Sequence, residues 1–325
     1  MDLPPGDGDR HRAVTTVEEA SARLGALVDS LWALAAAGLA LRFGLADGER
    51  PIAPDDPVVD VLVELGLVVT DDGTTDVAPG LKQLLTTTGA VAQADEMVAS
   101  VRQVLRLLTE GPGALGWAGE DDESLVAQGR ASMGLVNPLV EFVFPQLDGL
   151  DERLRRPGGR FLDIGVGIGG LATAMCDEFP ALSVVGLDVL PRALDLARAH
   201  VAERGLGDRI ELRHLDVAGI EDADAYDLVW LPLPFVSPAS LRVALPRLQR
   251  ALRPGGWLLA SMGRLEGDSL SVALTLWRTS LLGGTVLPPE RLAGGLVEAG
   301  FTDVTALETP PSAPVVVVAR RPKPR

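Results

Sequence analysis

The sequence predicts an α/β protein: a largely parallel sheet with helices on its faces, preceded by a mostly helical domain. Three observations carry this. From Arg160 onward short apolar runs alternate with helical patterns, the layout of consecutive β-α units. One of these runs ends in a glycine-rich turn that opens directly into a helix. Before position 120, apolar residues recur at helical spacing around a single short strand pair. At 325 residues the chain has room for about two domains, and 47% hydrophobic residues allow a sizeable core.

Residues 1–14, rich in Pro, Gly and Asp and without an apolar h-region, read as a disordered start and not as a signal peptide. Thr15 or Thr16 ahead of Glu18 and Glu19 reads as a capped helix start. Leu24, Leu27, Val28, Leu31, Leu34 and Ala35 then follow at helical spacing. The longest apolar run, 30–41, is twelve residues. A bilayer takes about 20, so the run reads as a buried or dimer-facing helix. Asp55-Asp-Pro57 opens a short helix over 58–65, and 67–70 with 74–77 read as strands about a turn at Gly73. This helix and hairpin resemble the wing of a winged-helix module. A helical region follows over 81–110, and 111–123, rich in Gly and acids, reads as a solvated linker. A helical pair over 124–155, interrupted by Pro138 and Pro145, leads to the turn Arg156-Pro-Gly-Gly159. Strands are predicted at 160–164, 183–188, 210–215, 227–231, 257–261, 304–308 and 315–319.

Charge excludes several partners. The net charge is −16, and residues 1–120 carry 8 basic against 19 acidic side chains, a net −11. Such a surface gains nothing from phosphate neutralisation, so nucleic acid and anionic membrane are poor partners despite the winged-helix likeness. Cys176 is the only cysteine, so no internal disulfide forms; this suits a reducing cytoplasm.

The chemistry centres on Phe161-Leu-Asp-Ile-Gly-Val-Gly-Ile-Gly-Gly170. Glycines at 165, 167 and 169 let backbone pass close under a ligand. Gly165, Gly167 and Gly170 also fit the dinucleotide pattern G-x-G-x-x-G. A carboxylate at Asp163, two residues ahead of the turn, favours a cationic ligand group over a pyrophosphate. Asp188 closes the next strand, where an acid can accept both hydroxyls of a ribose.

The D-x-G-x-G-x-G form resembles motif I of class I S-adenosylmethionine-dependent methyltransferases. The resemblance covers roughly residues 160–320. It implies a Rossmann-like seven-stranded sheet that binds S-adenosyl-L-methionine, Asp163 lying near the methionyl amine and Asp188 at the ribose. Asp216 and Val217 fill the places that bind the adenine amino group and pack on its ring. Leu252-Arg-Pro-Gly-Gly256 resembles the turn into the fifth strand. Val189 and Trp230 join the cofactor set. The layout further resembles natural-product O-methyltransferases with an N-terminal winged-helix dimerisation domain. It implies a helical dimerisation domain over 15–120, a catalytic domain over 121–325, a homodimer and a small-molecule acceptor.

That group carries a histidine base after the fourth strand. Counted back from Leu252, the position falls on Pro234, inside Leu231-Pro-Leu-Pro-Phe235. His11 lies in the chain start, His200 on a helix where it is expected to face solvent, and His214 nearer to adenine than to an acceptor. A metal-assisted mechanism lacks clustered oxygen ligands, so no metal is expected. What remains is an apolar acceptor pocket with walls from Met133, Val136, Asn137, Phe142, Trp230, Pro234, Phe235 and Trp277. Glu141 is the candidate proton acceptor, on the expectation that its helix face is shielded, and Arg278 is the candidate holder of a substrate carboxylate. Methyl transfer to O, N or C of a specialised metabolite is one reading. An enzyme that keeps S-adenosylmethionine as an electrostatic element, such as a cyclase, is another. A non-catalytic regulatory dimer is a third, disfavoured by the intact loop.

Overall fold

The computed structural model describes residues 13–44, 55–71, 74–111, 116, 121–309 and 313–323. His11 and Gly73 lie outside them. The chain divides between Gln83 and Leu84, earlier than the boundary expected at 120.

In the first unit, α1 (Val17–Leu39) starts at Thr16, whose hydroxyl accepts from the Glu19 amide at 3.1 Å. The Glu19 carboxylate returns to the Thr16 amide, completing a capping box worth about 1 kcal/mol. A π-helical turn, Ala40–Gly44, continues it. Asp56 caps α2 (Pro57–Glu64), with Pro57 where its missing N–H costs nothing. Strands β1 (Val68–Asp71) and β2 (Thr74–Val77) pair antiparallel, Val68 opposite Val77. Helix α3 (Pro79–Thr88) follows, and the division of the chain falls inside it. Ala40, Leu62 and Val68 form a small core. Most of the apolar side of α1 is left out of it: Leu24, Leu27, Val28, Leu31 and Trp32 are all more than half exposed.

The second unit begins with α4 (Ala90–Glu110) and α5 (Asp122–Met133). These two helices pack on each other, which is why α4 belongs here and not with the first unit. The predicted pair over 124–155 is broken into short pieces. Helix α6 (Val136–Pro138), a π-helical turn (Leu139–Val143), a 3₁₀ turn (Phe144–Gln146) and α7 (Leu150–Arg155) follow one another. Pro138 and Pro145 sit at the joints, where a proline lacks the N–H that regular helix needs.

The sheet consists of β3 (Arg160–Ile164), β4 (Ser183–Asp188), β5 (Ile210–His214), β6 (Tyr226–Pro232), β7 (Leu252–Met262), β8 (Thr302–Leu307) and β9 (Val315–Arg320). Helices α8 (Gly170–Glu178), α9 (Pro191–Glu203), α10 (Pro238–Ala251), α11 (Ser269–Leu281) and α12 (Pro289–Glu298) connect them. The spatial order is β5-β4-β3-β6-β7-β9-β8, with β9 antiparallel to both neighbours and the other pairings parallel. Strand β7 begins earlier than expected, because Leu252 already pairs with Tyr226. The register shifts before Leu228 meets Trp257, around the turn at Gly255, where φ is +76°.

Two apolar layers cover the faces of the sheet. Leu162, Val185, Val229 and Leu258 point into one, Phe161, Val184, Leu228 and Leu259 into the other. At the end of β6 opposite the glycine turn, the fully buried Asp227 accepts from Arg153, Arg156 and Arg253 and from the Arg160 amide. An isolated carboxylate there would be prohibitive. Compensated, it ties α7 and the start of β7 to the sheet.

Candidate functional site: a crevice at the carboxyl ends of the strands

The order reverses between β3 and β6: from β3 the chain first builds outward through β4 and β5, then returns to lay β6 on the other side. The crevice outside strand ends at such a switch point is where open α/β sheets hold ligands. The glycine turn after β3 lies there. Its geometry follows from backbone. Gly165, Gly167 and Gly169 have φ of +68°, +55° and +81°, values that penalise side chains. The Gly165 and Val166 amides donate to the Leu187 carbonyl at 2.8 and 2.9 Å, stitching the turn to β4. Gly186 leaves room for Val166, since a Cβ there would sit 2.6 Å from Val166 Cγ2.

Two carboxylates stand beside the turn. Asp188 is 8% exposed and accepts from the Gly167 amide at 2.8 Å and the Leu190 amide at 2.9 Å. Burial raises its pKa, and those amides pull it back. Asp163 is 2% exposed, and its Oδ2 is buried without a hydrogen-bond partner. Burial first, and then the charge of Asp188, push its carboxyl up to about 8. A buried acceptor with nothing to accept from fits a cationic donor arriving with a ligand. Once ionised, the same group would repel a pyrophosphate.

The third acid is placed differently from expectation. Asp216 is exposed; it caps the turn Val217–Gly219 through the Ala218 amide at 2.7 Å and accepts from Ser240 Oγ at 2.8 Å. Val217 is 5% exposed and packs in the core with Ile220 and Val185, which leaves it little surface for an adenine ring. Val189, half exposed after Asp188, is the apolar side chain open at this edge. Trp230 is core as well, packed in the layer of Leu228 and Leu259 beside Asp163 in register.

The acceptor candidates are spread over α5, the turns that follow it, the end of β6 and α11. Met133 ends α5 half-buried, Val136 is buried, and Asn137 is exposed. Glu141 and Phe142 lie on the π-helical turn and are exposed, so the shielding expected around Glu141 is missing. Pro234 is half-buried under Gly284, and the Thr285 amide donates to the Leu233 carbonyl at 2.9 Å. Phe235 borders the glycine turn: a Cβ on Gly165 would lie 3.5 Å from its own. Trp277 and Arg278 are exposed on α11.

Three features escaped the sequence. Helix α5 docks on the turn through glycines: a Cβ on Gly170 would lie 1.9 Å from the Gly129 carbonyl oxygen, and one on Gly129 would lie 2.1 Å from Ile168 Cγ1. A glycine inside a helix costs about 1 kcal/mol against alanine, so Gly129 was the available signal. Ser240 on α10 holds Asp216. His200, expected to face solvent, is half-buried with Nδ1 3.1 Å from the Ile168 carbonyl oxygen.

A glycine turn flanked by two buried acids thus lies at the switch point of a sheet ordered β5-β4-β3-β6-β7-β9-β8. Residues 161–256 match the family model described as methyltransferase domain. A release factor glutamine methyltransferase of Rhodopirellula baltica is 32% identical over 136 residues, 39% of this chain and 46% of that protein. A demethylmenaquinone methyltransferase of Thermus thermophilus is 33% identical over 111 residues, 34% and 50% of the respective chains. The chain thus spans about half the length of such curated relatives. Among solved structures, the S-adenosylmethionine-dependent methyltransferase SibL in its apo form matches with TM-score 0.62 at 22% identity, covering 93% of this chain and 99% of its own. Human N-acetylserotonin methyltransferase in complex with SAM gives 0.62 at 18%, covering 96% and 100%. These two likenesses establish the fold.

Proposed function

We propose that the chain is an S-adenosylmethionine-dependent methyltransferase acting on a small molecule. The observation that carries this is the buried, unpartnered Asp163 carboxylate oxygen beside the glycine turn. The residues fit the cofactor. Asp163 would take the methionyl amine, Asp188 the ribose hydroxyls, and the turn through Gly165, Gly167 and Gly169 would pass beneath. Val189 and Asp216 would border the adenine, Asp216 from the solvent side. When bound, S-adenosylmethionine supplies a sulfonium-activated methyl group for in-line displacement.

The chain's part is binding, orientation and exclusion of water. Pro234 stands where a histidine base would be, and Glu141 is exposed. We therefore assign catalysis to proximity and desolvation, toward an acceptor that is already nucleophilic: a carboxylate, a neutral amine, a phenolate or an enolate. Orientation alone lowers a barrier by up to about 7–11 kcal/mol. Met133, Phe142, Phe235 and Trp277 offer apolar and aromatic surface for it, Arg278 a cation. The missing base also keeps open a cofactor-assisted reaction without methyl transfer. Mass spectrometry decides between them: incubation with S-adenosylmethionine and a panel of phenols, amines and carboxylates should yield S-adenosylhomocysteine with a methylated acceptor. A transformed acceptor with no S-adenosylhomocysteine would establish the second reading.

We further infer a homodimer formed through α1. The stretch Val17–Arg42 reaches a mean hydropathy of 1.8 in its most apolar window and would be long enough to cross a membrane. Asp29 lies within it, and an acid at mid-membrane costs about 2.5–3.5 kcal/mol. A second copy is the better cover for Leu24, Leu27, Val28 and Leu31, and the acidic chain is read as cytoplasmic.

A further inference from the structure

Two histidines that the proposed chemistry leaves unused touch the backbone of the two loops around the pocket. His200, on α9, reaches the Ile168 carbonyl oxygen through Nδ1 at 3.1 Å, and Ile168 sits in the glycine turn. His214, the last residue of β5, reaches the Val189 carbonyl oxygen through Nε2 at 3.1 Å, and Val189 follows Asp188 directly. A carbonyl oxygen only accepts. Each of these ring nitrogens must therefore carry a hydrogen: Nδ1–H in His200 and Nε2–H in His214.

The loops have reason to need these donors. The turn is built on glycines, which contribute no side chain to fix it and have much conformational freedom to lose. Asp188 holds its amides from one side, through Gly167 and Leu190. The carbonyls of Ile168 and Val189 are held from the other side by side chains 32 and 25 residues distant. Carboxylate on amides and imidazole on carbonyls together clamp both loops.

We propose that His200 and His214 are positioning residues that hold the two loops of the nucleotide pocket in their ligand-ready conformation, His200 through Ile168 and His214 through Val189. The choice of ligand rests on the cofactor reading above; the clamping of the loops does not. Each residue acts on binding and touches no reacting atom.

Peptide-resolved amide hydrogen exchange on the free, full-length protein, paired with calorimetry using S-adenosylhomocysteine, tests this. His200→Ala should speed exchange in the segment 165–170 and His214→Ala in 188–191, each leaving the rest of the sheet as it was. Each should weaken binding about three- to tenfold, the effect of one lost hydrogen bond. His200→Asn puts an amide N–H at the depth of Nδ1, and His214→Gln puts one at the depth of Nε2. Both should restore slow exchange and wild-type affinity to within about twofold. The swapped amides, His200→Gln and His214→Asn, should behave as alanine, and they carry the test if an alanine variant fails to fold. Wild-type exchange and affinity in the alanine variants would overturn the proposal, as would a uniform rise in exchange that the matched amides do not rescue. If the wild-type protein does not bind S-adenosylhomocysteine, the cofactor reading fails and the exchange pattern alone decides the clamp.

Discussion

At the scale of single residues, the pocket is governed by two carboxylates with different tasks. Asp188 already accepts from two backbone amides, Gly167 and Leu190, and is assigned the ribose as well. Asp188→Ala should weaken S-adenosylhomocysteine binding about ten- to a hundredfold, the loss of charge-assisted hydrogen bonds worth about 1.5–3 kcal/mol. Calorimetry showing unchanged affinity would reduce Asp188 to a loop-holding role. Asp163 is the opposite case, a carboxyl pushed up to about 8 by burial and by its neighbour's charge. Because the folded-state pKa is raised, this group favours folding below about pH 4, where both states are protonated, and that advantage is lost as pH rises toward 8. A cationic ligand group reverses the balance by favouring the ionised form. Affinity for S-adenosylhomocysteine should therefore rise between pH 6 and about 8 and then level, with uptake of the proton by buffer. Asp163→Asn should bind more weakly with a flat profile. A wild-type affinity independent of pH over this range would contradict the assignment.

At the scale of elements, the glycine turn is supported by a helix on one side and two strands on the other. Gly170 opens α8, where alanine would gain about 1 kcal/mol in helix propensity. A Cβ there meets the Gly129 backbone, which yields less readily than a side chain. Gly170→Ala should therefore destabilise the domain by about 1–3 kcal/mol, as overpacking does, and weaken cofactor binding with it. A denaturant midpoint at or above wild type would show that α5 is free to move away. The strands and this turn were legible because each strand is a short apolar run bounded by turn residues, and because Asp188 ends β4 while Asp163 is the last residue but one of β3. The α5 contact was not, since a single glycine in a helix does not reveal its neighbour. Periodicity also failed at Val217 and Trp230: it identifies apolar residues, and it does not separate those facing a ligand from those facing the core. Glu141 was misread for the same reason: it lies on the π-helical turn Leu139–Val143 and is exposed.

For the whole molecule, an acidic chain with an uncovered apolar helix should associate with itself. Light scattering of the full-length protein at micromolar concentration should give twice the chain mass, and Leu27→Lys with Leu31→Lys should give the monomer. A stable wild-type monomer would contradict the dimer. The division between Gln83 and Leu84 was not visible in the sequence, since α3 and α4 are both amphipathic and only packing on α5 assigns α4 to the second unit. The central claim is that the pocket is built for a nucleoside that carries a cationic amine, and not for a dinucleotide. Titration calorimetry of the full-length protein with S-adenosylhomocysteine and, separately, with NAD at pH 8 tests it most directly. The account predicts a dissociation constant on the order of micromolar for S-adenosylhomocysteine, about −8 kcal/mol, and no measurable heat with NAD. Binding of NAD more tightly than S-adenosylhomocysteine would contradict it.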